Sequence, residues 1–236
     1  VAFENELRLL TSGERGKAEI LERKNLIEER LSKSVLQLSE YRGKAAKEAA
    51  QAILVELRDL GLSDSLFEIR VKSSSNLSEL TRDGGDEVSF LFSSHVSNNL
   101  LPIGKGISGG ELSRLMLAIE LVLSRSRKIG TLIFDEIDVG VGGETALVIG
   151  ERLQRLSESF QIIVVTHLAQ VAAWADHHFV IEKSVDGRFV SSSVRLVTGE
   201  DRAIEVARML SGQSELSVAR EHAKELLKHA NKISGT

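Results

Sequence analysis

The sequence predicts an α/β fold, a parallel-sheet core with flanking helices, preceded by a long helical arm. Three observations predict it. Two continuous apolar runs, Thr131-Leu132-Ile133-Phe134 and Gln161-Ile162-Ile163-Val164-Val165, enclose a helical segment over residues 144–157, the layout of a β-α-β unit. Residues 14–60 are rich in Glu, Lys, Arg, Leu and Ala and contain no proline. Aromatic residues make up only 4% of the 236-residue chain and there is a single proline, which favours helices and aliphatic strands over a β-sandwich.

In the arm, Leu31, Val35, Leu38, Ala45, Ala49 and Ala52 recur at alternating steps of four and three. Such a seam suits a coiled coil, and its alanines allow close approach of a second helix. One long amphipathic helix lying on a globular body gives a similar pattern, so both arrangements stay open. Thr11, Ser12, Gly13 and Gly16 interrupt the pattern, which predicts a separate helical piece over residues 1–10. Gly61 is a helix stop. The chain is accordingly divided into an arm, residues 1–60, and a lobe, residues 61–236.

Beyond Gly61 the period changes. Phe67-Glu68-Ile69-Arg70-Val71 and Val88-Ser89-Phe90-Leu91-Phe92 read as strands joined through a loop at Arg82-Asp83-Gly84-Gly85-Asp86. Polar loop material with Pro102 leads into a helix over residues 109–124, with Leu112, Leu115, Met116, Ile119 and Val122 on its expected inner face. Both strands of the β-α-β unit are expected to be buried on both faces. Phe179-Val180-Ile181-Glu182 and Arg188-Phe189-Val190 flank Asp186-Gly187 as a hairpin, and helical segments fill residues 203–229.

Composition narrows the function. With no cysteine there is no disulfide framework and no thiolate metal site, consistent with a cytosolic location. No apolar run reaches the roughly 18–20 residues that cross a bilayer, and residues 1–6 lack a signal layout, so no membrane partner is expected. A formal charge of −4 gives no bulk attraction to nucleic acid and leaves only a local basic patch for that purpose. The chain opens on Val1 within the arm, which suggests a piece of a longer polypeptide.

Three polar clusters carry the candidate chemistry. Ser108-Gly109-Gly110-Glu111 stands at the mouth of a helix, where free N–H groups and the helix dipole favour an anion and the glycines leave room for it. The same Ser-x-x-Glu spacing is a capping box, a purely structural device. Asp135-Glu136 ends the first buried strand. Asp135 is suited to Mg²⁺ held through water, and Glu136 to polarising an attacking water, although an acidic pair can also simply cap the next segment. Thr166-His167 ends the second strand, where an imidazole can sense a terminal phosphate or serve as an ordinary surface group. His95, His177, His178, His222 and His229 show no metal-ligand spacing.

In this order, the three clusters resemble the signature motif, Walker B strand and His switch of ABC-type ATPases. Glu111 after the two glycines, Asp138 after Glu136, and the preceding arm resemble the SMC and Rad50 branch rather than transporter subunits. Residues 107–118, 134–143 and 202–212 are similar to the carboxy-terminal part of the RecN family of bacterial DNA repair proteins, and the similarity spans roughly residues 31–230. The resemblance implies the carboxy-terminal lobe of an ABC-type ATPase head behind a coiled-coil helix. It further implies ATP and Mg²⁺ as ligands, ATP-driven pairing with a second head, release by hydrolysis, and action on DNA double-strand breaks at the bacterial nucleoid. Carried onto this chain, Ser108, Gly109, Gly110 and Glu111 form the signature loop that meets the γ-phosphate of ATP held by the opposite head. Asp135 supports Mg²⁺, Glu136 is the hydrolytic base, Asp138 reaches across the head dimer, and His167 reads the γ-phosphate. Arg114 is expected either at the same interface or paired with a surface acid.

One element of that pattern is missing. No Gly-x-x-x-x-Gly-Lys-Ser/Thr loop occurs: Gly43-Lys44 lies in the arm without the upstream glycine, and Gly104-Lys105 is followed by Gly106. The resemblance places that loop in the amino-terminal half of the same head, so the isolated chain is expected to be inactive. A docking or scaffold module that does not hydrolyse ATP, and a transporter ATPase subunit, are the rival functions.

Overall fold

The computed structural model describes residues 2–74, 76–124, 130–186, 189–212 and 217–234. Helix α1 (Ala2–Asp59) runs through Thr11, Ser12, Gly13 and Gly16 without a break, so the separate piece expected over residues 1–10 is not formed. Single glycines weaken a helix by about 1 kcal/mol each and do not stop a long one. Gly61 does stop it. At φ +78° it lets Leu62 N–H reach Leu57 O (2.8 Å) and its own N–H reach Arg58 O (3.1 Å), a Schellman motif.

The chain forms two compact units. The first comprises residues 1–50 and 68–91, and holds most of strands β1 (Leu66–Ser73) and β2 (Asp86–Ser93), which lie side by side. Within it Val35 and Ala46 of α1 are buried. Ser39 Oγ donates to Asp86 Oδ1 (2.5 Å), while Arg42 Nη1 donates to Asp86 Oδ2 (2.9 Å) and its Nη2 to Asp83 O (2.7 Å). Nearer the start, Ile20, Leu21, Leu26, Ile27 and Leu31 are exposed.

The second unit comprises residues 51–67 and 92–236. Ile53 and Leu57 of α1 and Leu60 just after it are fully buried there, whereas Ala52 is exposed, as are Leu31 and Ala45 in the first unit. Of the expected seam, Val35 is buried and Leu38 and Ala49 are half-buried. Ala46, Ile53 and Leu60 recur every seven residues with Leu57 between the last two, a spacing that suits a coiled-coil seam as well as an amphipathic helix.

After the two-residue strand β3 (Leu101–Pro102) come α2 (Gly109–Leu123), β4 (Thr131–Phe134), α3 (Gly143–Ser157) and β5 (Gln161–Val164). Strands β4 and β5 are parallel, with Thr131 opposite Gln161 and Phe134 opposite Val164, as the β-α-β pattern predicts. The inner face of α2 is wider than expected. Leu115, Leu117, Ala118, Ile119 and Leu121 are buried, and Met116 is exposed. The strands are not buried on both faces: Ile133 is 69% exposed, Ile163 45% and Val165 51%. Alternate residues of a strand face opposite sides, and only the Phe134 side of β4 is packed.

A short helix, α4 (Ala169–Ala172), leads to the antiparallel ribbon of β6 (His178–Asp186) and β7 (Phe189–Val197). The expected hairpin is thus present, with Asp186 opposite Phe189, while Gly187 and Arg188 lie outside the described residues. Phe179 pairs with Leu196 and Ile181 with Val194, and all four are exposed. Helices α5 (Gly199–Ser211) and α6 (Ser217–Ser234) complete the chain. They pack Val206, Ala207, Ala223, Leu226 and Ala230 around Trp174 and Ala173. No helix among the described residues is long and apolar enough to cross a membrane.

Candidate nucleotide site

The start of α2 is capped as its sequence requires. Ser108 Oγ accepts from Glu111 N–H (3.4 Å) and Ser108 N–H donates to Glu111 Oε2 (3.1 Å), so both halves of the capping box are made. Glu111 is thereby committed to the helix end. Gly110 is explained by close approach of backbone, whereas at Gly109 only the exposed, flexible end of the Glu136 side chain stands in the way. A Cβ on Gly110 would stand 3.0 Å from Val139 O and 3.1 Å from Glu136 O, and one on Gly109 would collide with the Glu136 carboxylate.

Further contacts draw the segment after β4 onto this helix. Ser113 Oγ donates to Asp135 O (2.6 Å), and Arg114 Nη1 donates to Val139 O (2.9 Å) and Ile137 O (3.3 Å). Arg114 is only 5% exposed, so it neither faces outward nor pairs with a surface acid as the sequence suggested. Burial, opposed by Glu111, lowers its pKa from the ordinary arginine value. The sequence signal for its inward position was available: Gly110, Arg114, Leu117 and Leu121 fall at steps of four, three and four on one face of α2. Ser113 carried no comparable signal.

Asp135 and Glu136 are exposed, as chemistry on a ligand requires. Asp135 Oδ1 accepts from Glu136 N–H (2.9 Å). Glu136 adopts φ +57°, the left-handed region that a non-glycine residue enters at a cost of roughly 1–2 kcal/mol. The exposed carboxylate at the strand end is a hard oxygen donor with room for water, which fits a Mg²⁺ ion held through its hydration shell.

Asp138 turns inward. It is 2% exposed, and its Oδ2 accepts from Thr166 Oγ1 (2.5 Å), His167 N–H (2.9 Å) and Leu168 N–H (3.3 Å). His167 Nδ1 lies 3.0 Å from the same oxygen, while the His167 side chain is 70% exposed. In this chain the three donors hold the Asp138 carboxylate inward. Burial alone would raise the Asp138 carboxyl; the bonds from Thr166 and the His167 N–H, with His167 alongside, outweigh it and hold the group below the ordinary carboxylate range. Thr166 is therefore a ligand of Asp138.

The three clusters thus meet on one surface of the second unit, linked through Ser113, Arg114 and Asp138. Outside it, Arg202 Nη2 donates to Ala175 O (2.7 Å), Ala173 O (3.0 Å) and Ala172 O (3.3 Å), covering carbonyls at the end of α4. Burial first, then the nearby Arg202 charge, lower the pKa of His178 against the opposing pull of Glu205. His229 packs edge-on to Trp174. No group of three or more His, Cys, Asp or Glu side chains among the described residues could by itself hold a metal ion.

No family model matches the chain. Among solved structures it resembles the Smc head domain with a coiled coil and joint from Pyrococcus yayanosii, at 18% identity and a TM-score of 0.48 over 81% of this chain and 30% of that one. Its sequence relatives are much nearer. DNA repair protein RecN of Mycobacterium tuberculosis (strain H37Rv) is 42% identical over 95% of this chain and 41% of its own length. RecN of Deinococcus radiodurans is 43% identical over 80% of the chain and 33% of its own length, and RecN of Treponema pallidum 44% identical over 73% and 30%. The chain spans about two fifths of the length of the first of these relatives. With 42% identity sustained over 95% of its residues, the chain belongs to the RecN family.

Proposed function

We propose that the chain is the carboxy-terminal lobe, residues 61–236, and returning arm, residues 1–60, of an ATP-hydrolysing head that acts in recombinational repair of DNA double-strand breaks in the bacterial cytoplasm. One observation carries it: the capped, glycine-lined mouth of α2, the exposed Asp135-Glu136 pair and the exposed His167 ring form one hydrogen-bonded surface. Gly109 and Gly110 offer helix N–H groups, and Ser108 its hydroxyl, to the γ-phosphate of ATP held by the opposite head, with Glu111 keeping the turn in shape. Asp135 holds Mg²⁺ through water; the bound ion would supply neutralisation of phosphate charge. Glu136 polarises the attacking water, a contribution of about 10²–10⁴ in rate, and His167 contacts the γ-phosphate. ATP binding pairs two heads and hydrolysis releases them.

The outward apolar residues Ile133 of β4, Ile163 of β5 and Val165 just beyond it support a lobe that is completed by further polypeptide. That polypeptide is the amino-terminal half of the head, which carries the missing Walker A loop, and the relatives are long enough to contain it. The test is ATP turnover by the chain alone and by the chain assembled with that half. Turnover is expected only in the assembly, with Glu136→Gln abolishing it while ATP still promotes dimerisation. Turnover by the isolated chain that is lost in Glu136→Gln would overturn the half-head assignment, and an assembly that binds but never hydrolyses ATP would favour a scaffold.

A further inference from the structure

We propose that Asp138 is a positioning residue that joins the loop after β4 to the loop after β5 and fixes the His167 ring with its Nδ1 proton turned inward, leaving Nε2 to meet the ligand. The proposal rests on the nucleotide-site assignment above for its functional consequence, but its structural part stands on this chain alone.

Four groups converge on one buried oxygen. Asp138 Oδ2 takes the Thr166 hydroxyl, two successive backbone N–H groups and the His167 Nδ1 position within 3.3 Å. Thr166 Oγ1 also accepts from Leu168 N–H (3.0 Å), so the Asp138 carboxylate and the Thr166 hydroxyl together organise the turn that carries His167. A carboxylate accepts and cannot donate, so a 3.0 Å approach of Nδ1 is favourable only when that nitrogen carries the proton. In the neutral ring this leaves Nε2 bare, and in the charged ring it leaves Nε2–H as the outward donor. With Nδ1–H turned to Asp138, Nε2 is the ring position left to face a ligand.

The other end of the device is the signature helix. Arg114 holds Ile137 O and Val139 O, the carbonyls on either side of Asp138. Arg114 thus ties the backbone on both sides of Asp138 to the signature helix.

Nitrogen-15 NMR of the imidazoles in this chain at about pH 8, where an ordinary histidine is neutral, reads the tautomer without nucleotide. A His167→Ala spectrum assigns the resonance. His167 is expected as the Nδ1–H form, and Asp138→Ala is expected to shift it towards the Nε2–H form while the amides of His167 and Leu168 lose protection from hydrogen exchange. A wild-type ring in the Nε2–H form overturns the proposal, and so does an unchanged Nδ1–H tautomer in folded Asp138→Ala. The wild-type spectrum decides the matter even if that variant does not fold.

In the assembled head, Asp138→Asn is expected to lower kcat by about 10- to 100-fold, by analogy with the loss of a carboxylate that orients a metal-bound histidine. It should cause no further loss in a His167→Ala background; fully additive losses would overturn the coupling. Hydrolysis that survives Glu136→Gln would remove the nucleotide-site assignment while leaving the tautomer result standing.

Discussion

Replacing Gly110 by alanine separates two reasons for a glycine at the mouth of α2. If the residue is there only to admit a phosphate, the substitution leaves the folded chain at least as stable, because alanine is favoured over glycine in a helix by up to about 1 kcal/mol. The structure requires the opposite. The new methyl group would stand 3.0 Å from Val139 O, 3.1 Å from Glu136 O and 3.1 Å from Val139 Cβ, closer than ordinary carbon contacts. Two of these neighbours are backbone atoms, and Arg114 holds Val139 O in place, so relief demands a shift of the whole segment. Overpacking of this kind costs about 1–3 kcal/mol, leaving a net loss of up to about 2 kcal/mol once the helix gain is deducted. Urea unfolding followed by circular dichroism should show the midpoint falling by about 0.5 M for an m-value near 3 kcal/mol/M. Gly43→Ala is the control, since nothing lies within 4 Å of its added methyl group. That variant should gain about 0.5–1 kcal/mol. A Gly110→Ala midpoint at or above that of the parent chain refutes the packing account.

Other perturbations test other joints. Arg152, 17% exposed, donates to Glu56 Oε2 (2.7 Å), Asp59 Oδ2 (2.9 Å) and Glu151 Oε1 (3.0 Å), so Arg152→Ala leaves the half-buried Glu56 with only the 3.6 Å approach of Arg155 and should cost about 1–2 kcal/mol in urea unfolding. Glu136→Gly relieves the left-handed backbone and should raise stability by about 1 kcal/mol while abolishing ATP turnover in the assembled head; a destabilised variant would show that Glu136 is not strained. The Ser39 hydroxyl, working against burial and together with Arg42, holds the Asp86 carboxyl below its ordinary value. With the folded pKa below the unfolded value of about 3.9, this stabilisation is complete above that value and is lost as pH falls through the folded pKa. Asp86→Asn should therefore flatten the acid limb of stability against pH, and a limb as steep as the parent's would count against the ion pair.

Periodicity alone made the β-α-β unit, α2, the hairpin and the helix stop at Gly61 legible, because each depends on local spacing or on a backbone conformation only glycine adopts readily. It could not choose the buried side of α1. Leu31, Ala45 and Ala52 are as apolar as the residues that are buried, and the choice among faces depends on which surface lies opposite. The β4 and β5 runs misled for a related reason: uniform apolarity states that both faces can be covered, not that this chain covers both. Ile133 and Val165 are the residues that show the difference.

Sequence by itself determined the three polar clusters, their order, the family they resemble and the absence of a Walker A loop. Only the tertiary structure decided what each polar group faces. Side-chain direction is set by packing between segments far apart in sequence, which no local spacing encodes. Arg114 therefore proved to be a clamp on backbone carbonyls, Gly110 a close-approach position, and Asp138 the inward partner of His167. The chemistry was written in residue types, and the coupling between its parts in long-range hydrogen bonds to buried acceptors.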